Sequence, residues 1–187
     1  MMKEVRLKKS YDYFKTLKDM SDCIGKAFSF RFASDKYKKE ALIFYATRKE
    51  LSNKLSEEFV APIERNDIYN ISSCLVREML SLEYLCLSGY KSDMIQFDEK
   101  IMEHLNIQGK VIIGLSNKLS VSLLGDLSSV QSALVSDRNT MLSCSREIIN
   151  KSDNILLKYI CFEKLLRFTE NIGNTFYEIE RVIINNI

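Results

Sequence analysis

The chain has 187 residues, a formal net charge of +2 and 46% hydrophobic residues, with one Pro, six Gly, five Cys, one His and no Trp. That is long enough for a substantial core and too apolar for wholesale disorder. A single proline argues against the many short strands and turns of a sandwich or barrel, so long helices are expected. The near-neutral charge falls short of a nucleic-acid footprint, and no apolar run approaches the ~20 residues of a membrane helix.

Six apolar stripes with helical spacing follow one another along the chain. The first joins Tyr11, Phe14, Leu17, Met20, Ile24 and Phe28. The second runs Tyr37, Ala41, Phe44, Arg48, Leu51, Leu55 and Phe59, with Arg48 expected at a stripe edge or in a charge pair. The third uses Ile68, Ile71, Leu75, Met79, Leu82 and Leu85 or Cys86. The fourth starts at Met94 and takes in Phe97, Ile101, Leu105, Ile112, Leu115 and Leu119. Leu127, Val130, Leu134, Met141 and Ile148 make the fifth. The sixth extends from Ile155 and Tyr159 through Phe162, Leu166, Thr169, Ile172, Phe176 and Ile179 to Ile183.

Ser34-Asp35, Ser92-Asp93 and Ser152-Asp153 are expected to cap the second, fourth and sixth helices. Pro62 stops the second, and Gly89 and Gly125 mark breaks after the third and fourth. The expectation is an all-α chain of up to six helices, each roughly 25 residues and about 35–40 Å long. Each has one apolar face, so they pack as an antiparallel bundle. Residues 1–40 hold eleven basic and six acidic side chains, and residues 57–103 hold ten acidic and four basic, read as solvated helix faces.

The start of the chain, MMKEVRLKKSYDYF, lacks the apolar core of a secretory signal, so a cytoplasmic protein is expected. The cysteines, at 23, 74, 86, 144 and 161, form no C-x-x-C and lie mostly on or near apolar stripes. They read as small core hydrophobes. His104 is the only histidine, so no His-based triad with a spare ligand can be assembled, and the Glu-x-x-His of di-iron bundles fails because Ile101 stands three residues before it. Phosphate-cradling glycine loops and a nucleophile elbow are absent. Phe28, Phe30 and Phe32 around Arg31 read as a helix end packed into the bundle. The expectation is a protein that is not an enzyme and carries no cofactor.

The most specific string is Phe59-Val-Ala-Pro62-Ile63-Glu64-Arg65-Asn-Asp67-Ile68. Physically it is a helix-to-helix junction. Pro62 breaks the second helix, Ile63 plugs the bundle end, and Glu64 and Asp67 bring negative charge to the N-terminus of the third helix at capping-box spacing. The string resembles F-x-x-P-I-[DE]-R-x-D-I, the turn between the second and third helices of PhoU-like phosphate-transport regulators. It is most similar to the branch of accessory proteins to Pit-type phosphate transporters. Phe59, Pro62, Ile63, Arg65, Asp67 and Ile68 match, with Glu64 a conservative variant.

The resemblance implies one PhoU-like domain over 1–187, built as a six-helix bundle of two three-helix units at about 1–90 and 91–187. It implies regulation of inorganic phosphate transport by docking to a Pit-type transporter, with membrane association only through that partner. The motif turn Phe59, Pro62, Ile63, Glu64, Arg65 and Asp67 is then a structural element or a partner contact. Broad faces on so long a bundle also suit a homodimer.

Many PhoU-like proteins hold metal clusters with E/D-x-x-x-D pairs, since residues i and i+4 share a helix face. Counted from Phe59, the matching positions here are Ala41 and Tyr45, Val76 and Leu80, and Arg138 and Leu142. The sixth helix keeps a remnant, Glu170 with Asn174. A metal cluster needs more carboxylates than that for charge balance, so no metal at the family's sites is expected. Two alternatives remain: a helical adaptor or scaffold that kept the fold without phosphate regulation, and a metal-dependent protein using Asp98, Glu99 and Glu103.

Overall fold

The computed structural model describes residues 11–57, 64–88, 97–117, 121–150 and 154–186. They form six α-helices: α1 (Tyr13–Ser29), α2 (Ser34–Glu57), α3 (Arg65–Leu87), α4 (Asp98–Gly114), α5 (Val121–Asn150) and α6 (Ile155–Asn186). A 3-10 turn, Leu115–Asn117, follows α4, and there is no strand among the described residues. No helix among them is long and apolar enough to cross a membrane.

Helix lengths differ more than the stripes suggest. α1 and α4 have 17 residues each, whereas α5 has 30 and α6 has 32. The first three stripes are buried nearly as written. Leu17, Met20, Ile24, Phe28, Phe44, Leu51 and the third stripe from Ile68 to Leu85 are fully enclosed, whereas its alternative last member, Cys86, is half-buried. Arg48 is half-buried at the stripe edge, its guanidinium against the Tyr69 ring of α3 and hydrogen-bonded to Ser52. The sixth stripe is buried only from Phe162 onward; Ile155 and Tyr159 are exposed at the start of α6.

Local signals at the helix ends are mixed. Ser34 is the first residue of α2, and Asp35 lies in its first turn. Ser92-Asp93, Ser152-Asp153, Gly89, Met94 and Leu119 lie outside the described residues. At α6 it is Asn154 that caps, its Oδ1 accepting from the Leu157 amide at 3.1 Å. Gly125 does not mark a break. It lies in the first turns of α5, and α4 ends earlier, through the 3-10 turn after Gly114. Gly109 sits inside α4 where the helix meets α1: a Cβ there would stand 3.2 Å from Asp22 Oδ1.

The pairing of helices follows the long interfaces. α1 packs on both α2 and α4, and α6 packs on both α3 and α5; α3 meets α2 only sparingly. Contacts along α1–α4, α3–α6 and α5–α6 run in opposite senses. In α1 and α4 they join Ser21 to Gln108, Ser29 to Met102 and Arg31 to Asp98. In α3 and α6 they join Asp67 to Arg181 and Arg77 to Asn171. In α5 and α6 they join Gln131 to Glu180 and Arg138 to Glu170. These pairs are therefore antiparallel, and a single buried apolar cluster draws on all six helices. Within it Phe28 of α1 stacks on Phe168 of α6, ring centroids 5.5 Å apart.

Candidate functional site

The described part of the proline junction begins at Glu64, the N-cap of α3. Phe59, Pro62 and Ile63 lie outside the described residues. Glu64 and Arg65 are exposed. The expected capping box does not form, because the Glu64 side chain makes no cap hydrogen bond and Asp67 is turned inward. Backbone closes the first turn, with Asp67 N–H donating to the Glu64 carbonyl at 3.0 Å.

Asp67 is 4% exposed and accepts from Arg181 of α6 at 2.7 Å. Arg181 also donates to Glu178 at 2.6 Å, and these two hydrogen bonds hold its guanidinium still more firmly protonated than usual. The motif acid therefore fastens the first turn of α3 to the last third of α6. A buried carboxylate with a charge-assisted partner is a strong, oriented link.

The positions matched to the family's acidic pairs hold no carboxylate pair. Ala41 and Val76 pack against the core, and Tyr45 and Leu80 are exposed. On α5 the matched position, Arg138, donates from Nε to Glu170 Oε1 at 2.9 Å, so an ion pair occupies the place of the remnant. Glu170 stands between two shallow hollows along the α5–α6 seam, of about 420 and 430 Å³. Asn174 lines the second with Val135, Gly173 and Tyr177. Asp98 is committed to Arg31, while Glu99 and Glu103 are exposed, and no cluster of three His, Cys, Asp or Glu side chains exists among the described residues.

Arg31 follows the C-terminus of α1 and Asp98 opens α4, so each charge complements a helix dipole. The Arg31 guanidinium also lies 4.3 Å from the centroid of Phe28 and 4.4 Å from that of Phe32. Of the three phenylalanines, Phe28 is in the core and Phe32 is exposed. Cys23, Cys74 and Cys161 are buried, Cys86 and Cys144 half-buried, and all five are free thiols. Burial pushes the thiols of Cys23 and Cys86 up to about 11, which makes them poor nucleophiles.

Two polar pairings escaped the sequence reading. His104 is buried, with Nε2 3.0 Å from Asp137 Oδ2 on α5, and Lys100 pairs with the other carboxylate oxygen. His104 Nδ1 is buried without a hydrogen-bond partner. Burial favours the neutral form of Asp137, but the hydrogen bonds from Lys100 and His104 outweigh it and hold the carboxyl below its ordinary value.

The second group lies where α1, α3, α4 and α6 converge. Glu78 of α3 is fully buried. Gln108 Nε2 donates to its Oε2 at 3.1 Å and to Ser21 Oγ at 3.1 Å, and Thr175 bonds its Oε1. Burial pushes the Glu78 carboxyl up to about 8, against the two hydrogen bonds. A signal existed: Glu78 and Gln108 fall on the same faces as Leu75–Leu82 and Ile101–Ile112. A polar residue on an apolar stripe announces a buried partner. No family model and no curated protein sequence matches this chain.

Proposed function

We propose that the chain is a non-enzymatic PhoU-like accessory protein of inorganic phosphate transport, acting in the cytoplasm by docking to a Pit-type transporter. The observation that carries this reading is the string Phe59 to Ile68, which spans the junction between α2 and α3 in an all-helical chain. We read the six helices as one antiparallel six-helix bundle. Its two three-helix units, about 1–90 and 91–187, are knit by the α1–α4 and α3–α6 interfaces. The docking surface is the long solvent face of the bundle, and the partner brings the protein to the membrane.

The test is co-purification. Tagged protein is expressed with a Pit-type transporter, the membranes are solubilised in mild detergent, and the transporter is quantified in the eluate. Stoichiometric recovery supports the reading, and recovery no greater than that of an unrelated membrane protein overturns it.

The second reading is a helical adaptor that retains the architecture without phosphate regulation. The Arg138–Glu170 ion pair favours it, since a cation now sits against the remaining family carboxylate. Stoichiometric capture of a partner unrelated to phosphate transport would select it.

A further inference from the structure

At the Glu78 junction one hydroxyl faces two acceptors. Thr175 Oγ1 lies within hydrogen-bond reach of two acceptors, Glu78 Oε1 and the Asn171 carbonyl, the latter at 3.2 Å. Its hydroxyl has one hydrogen and can serve only one of them. The Gln108 amide gives both of its hydrogens away, one to Glu78 Oε2 and one to Ser21 Oγ. If Glu78 is an anion, the Thr175 hydrogen must choose between the carboxylate and the carbonyl. If Glu78 is a neutral acid, every contact has a hydrogen: Oε1–H donates to Thr175, and the Thr175 hydroxyl passes its own to Asn171.

The surroundings support the neutral acid. The influences on the carboxyl are burial and the hydrogen bonds from Thr175 and Gln108, with no cation among them. α1 offers Ser21, α4 offers Gln108 and α6 offers Thr175, all uncharged. The ionisable groups beyond them are, on α3, the Cys74 thiol and Arg77, whose guanidinium bonds that thiol; on α6, Glu178, which pairs with Arg181; and at the α1–α4 contact Lys18 and Asp22, which pair with each other. A fully buried anion without a counter-charge is among the costliest states a side chain can adopt.

We propose that Glu78 is a proton-binding site: it is carried as a carboxylic acid at neutral pH, and losing that proton loosens the joint between α1, α3, α4 and α6. The proton takes the place that a hydroxyl or amide would hold in a permanently uncharged junction. Folding therefore takes up one proton wherever the unfolded carboxyl is ionised and the folded one is not. The folded-state value, about 8, lies above the ordinary 4.5. The stabilising effect is thus complete below about 4.5 and lost progressively as the pH rises through about 8.

The experiment reads the proton directly and then its effect. Wild-type protein labelled with carbon-13 at the Glu side-chain carboxyl is titrated by NMR from pH 4 to 10. One carboxyl resonance, assigned by its loss in Glu78→Gln, should titrate near 8. In parallel, the unfolding equilibrium of wild type and Glu78→Gln is measured in denaturant at pH 6 and pH 9. Glutamine donates to Thr175 and accepts from Gln108, so it reproduces the neutral acid at every pH.

Wild type should lose about 100-fold more in folding equilibrium than the variant across that interval, tenfold for each of the roughly two pH units below 8. The proposal is overturned if no Glu carboxyl of the folded wild type titrates above pH 7. Equal pH dependence in the two proteins also overturns it. If the variant fails to fold, the wild-type titration alone decides.

Discussion

Replacing Asp67 by Asn keeps the size and shape of the side chain at the α3 N-terminus but removes its charge. The neutral amide oxygen can still accept from Arg181, so the change isolates the electrostatic part of a 2.7 Å contact. A hydrogen bond to a charged group contributes about 1.5–3 kcal/mol net, against about 0.5–1.5 for a neutral one. Asp67 is 4% exposed, but the Arg181 side chain is 36% exposed, and solvent screening discounts the pair toward the lower end.

About 1 kcal/mol is therefore expected for Asp67→Asn, or a fall of about 2–4 °C in Tm for a chain of this size. Arg181→Gln also costs the contact with Glu178, so its effect mixes two partners. The double-mutant cycle of Asp67→Asn with Arg181→Gln removes that ambiguity, because the Glu178 contribution cancels. A coupling energy of about 1 kcal/mol, obtained from urea unfolding at low salt, is the expected result. A coupling near zero would show that α3 is not fastened to α6 through this acid, and the structural role assigned to the motif would fall.

Phe168→Ala should cost about 3–5 kcal/mol, because the ring is fully buried against Phe28; Tyr177→Ser on the exposed seam should stay within about 0.5 kcal/mol, both by denaturant unfolding. Gly173→Ala should raise stability by about 0.5–1 kcal/mol, since the position is helical and a Cβ there meets nothing within 4 Å. Gly109→Leu should lower stability by about 1–3 kcal/mol by wedging α4 from α1 beside Asp22, with circular dichroism melting as the measure. The Asp137 carboxyl is held below its ordinary 3.8, so it stabilises the fold above that value and stops doing so as acid protonates the folded form. Asp137→Asn should therefore be less stable than wild type at pH 7, and the gap should close toward pH 2.

The helices and much of their buried faces were legible in the sequence, because a 3.6-residue rhythm is a local property. Leu17, Met20 and Ile24 of α1, and Ile68 through Leu85 of α3, are enclosed as their spacing requires. Ile155 and Tyr159 keep the same rhythm yet face solvent, since a stripe says which way a residue points and not whether a neighbour reaches that far. Gly125 was read as a break because glycine weakens a helix, but α5 absorbs that modest cost near its first turn.

The polar links were the least legible. Glu78 meets Thr175 across 97 positions and Asp67 meets Arg181 across 114, separations that no local pattern encodes. The spacing of Asp67 points to a local cap, and nothing local announces the cation of α6 that it meets. At α5 the substitution of Arg138 for a carboxylate was visible in the chain, but its pairing with Glu170 required the fold.

The unequal helix lengths have a dynamic consequence. α5 and α6 span about 45 and 48 Å at 1.5 Å per residue, nearly twice the length of α1 and α4. The first enclosed residue of α6 is Cys161, whose thiol reaches the Ser88 carbonyl at the end of α3. The turns of α6 before it, residues 155–160, have little beneath them, and this start of the helix is a cantilever supported at one end. Amide hydrogens there should exchange by fraying alone, leaving the clamped shafts of the same two helices protected until the whole molecule opens.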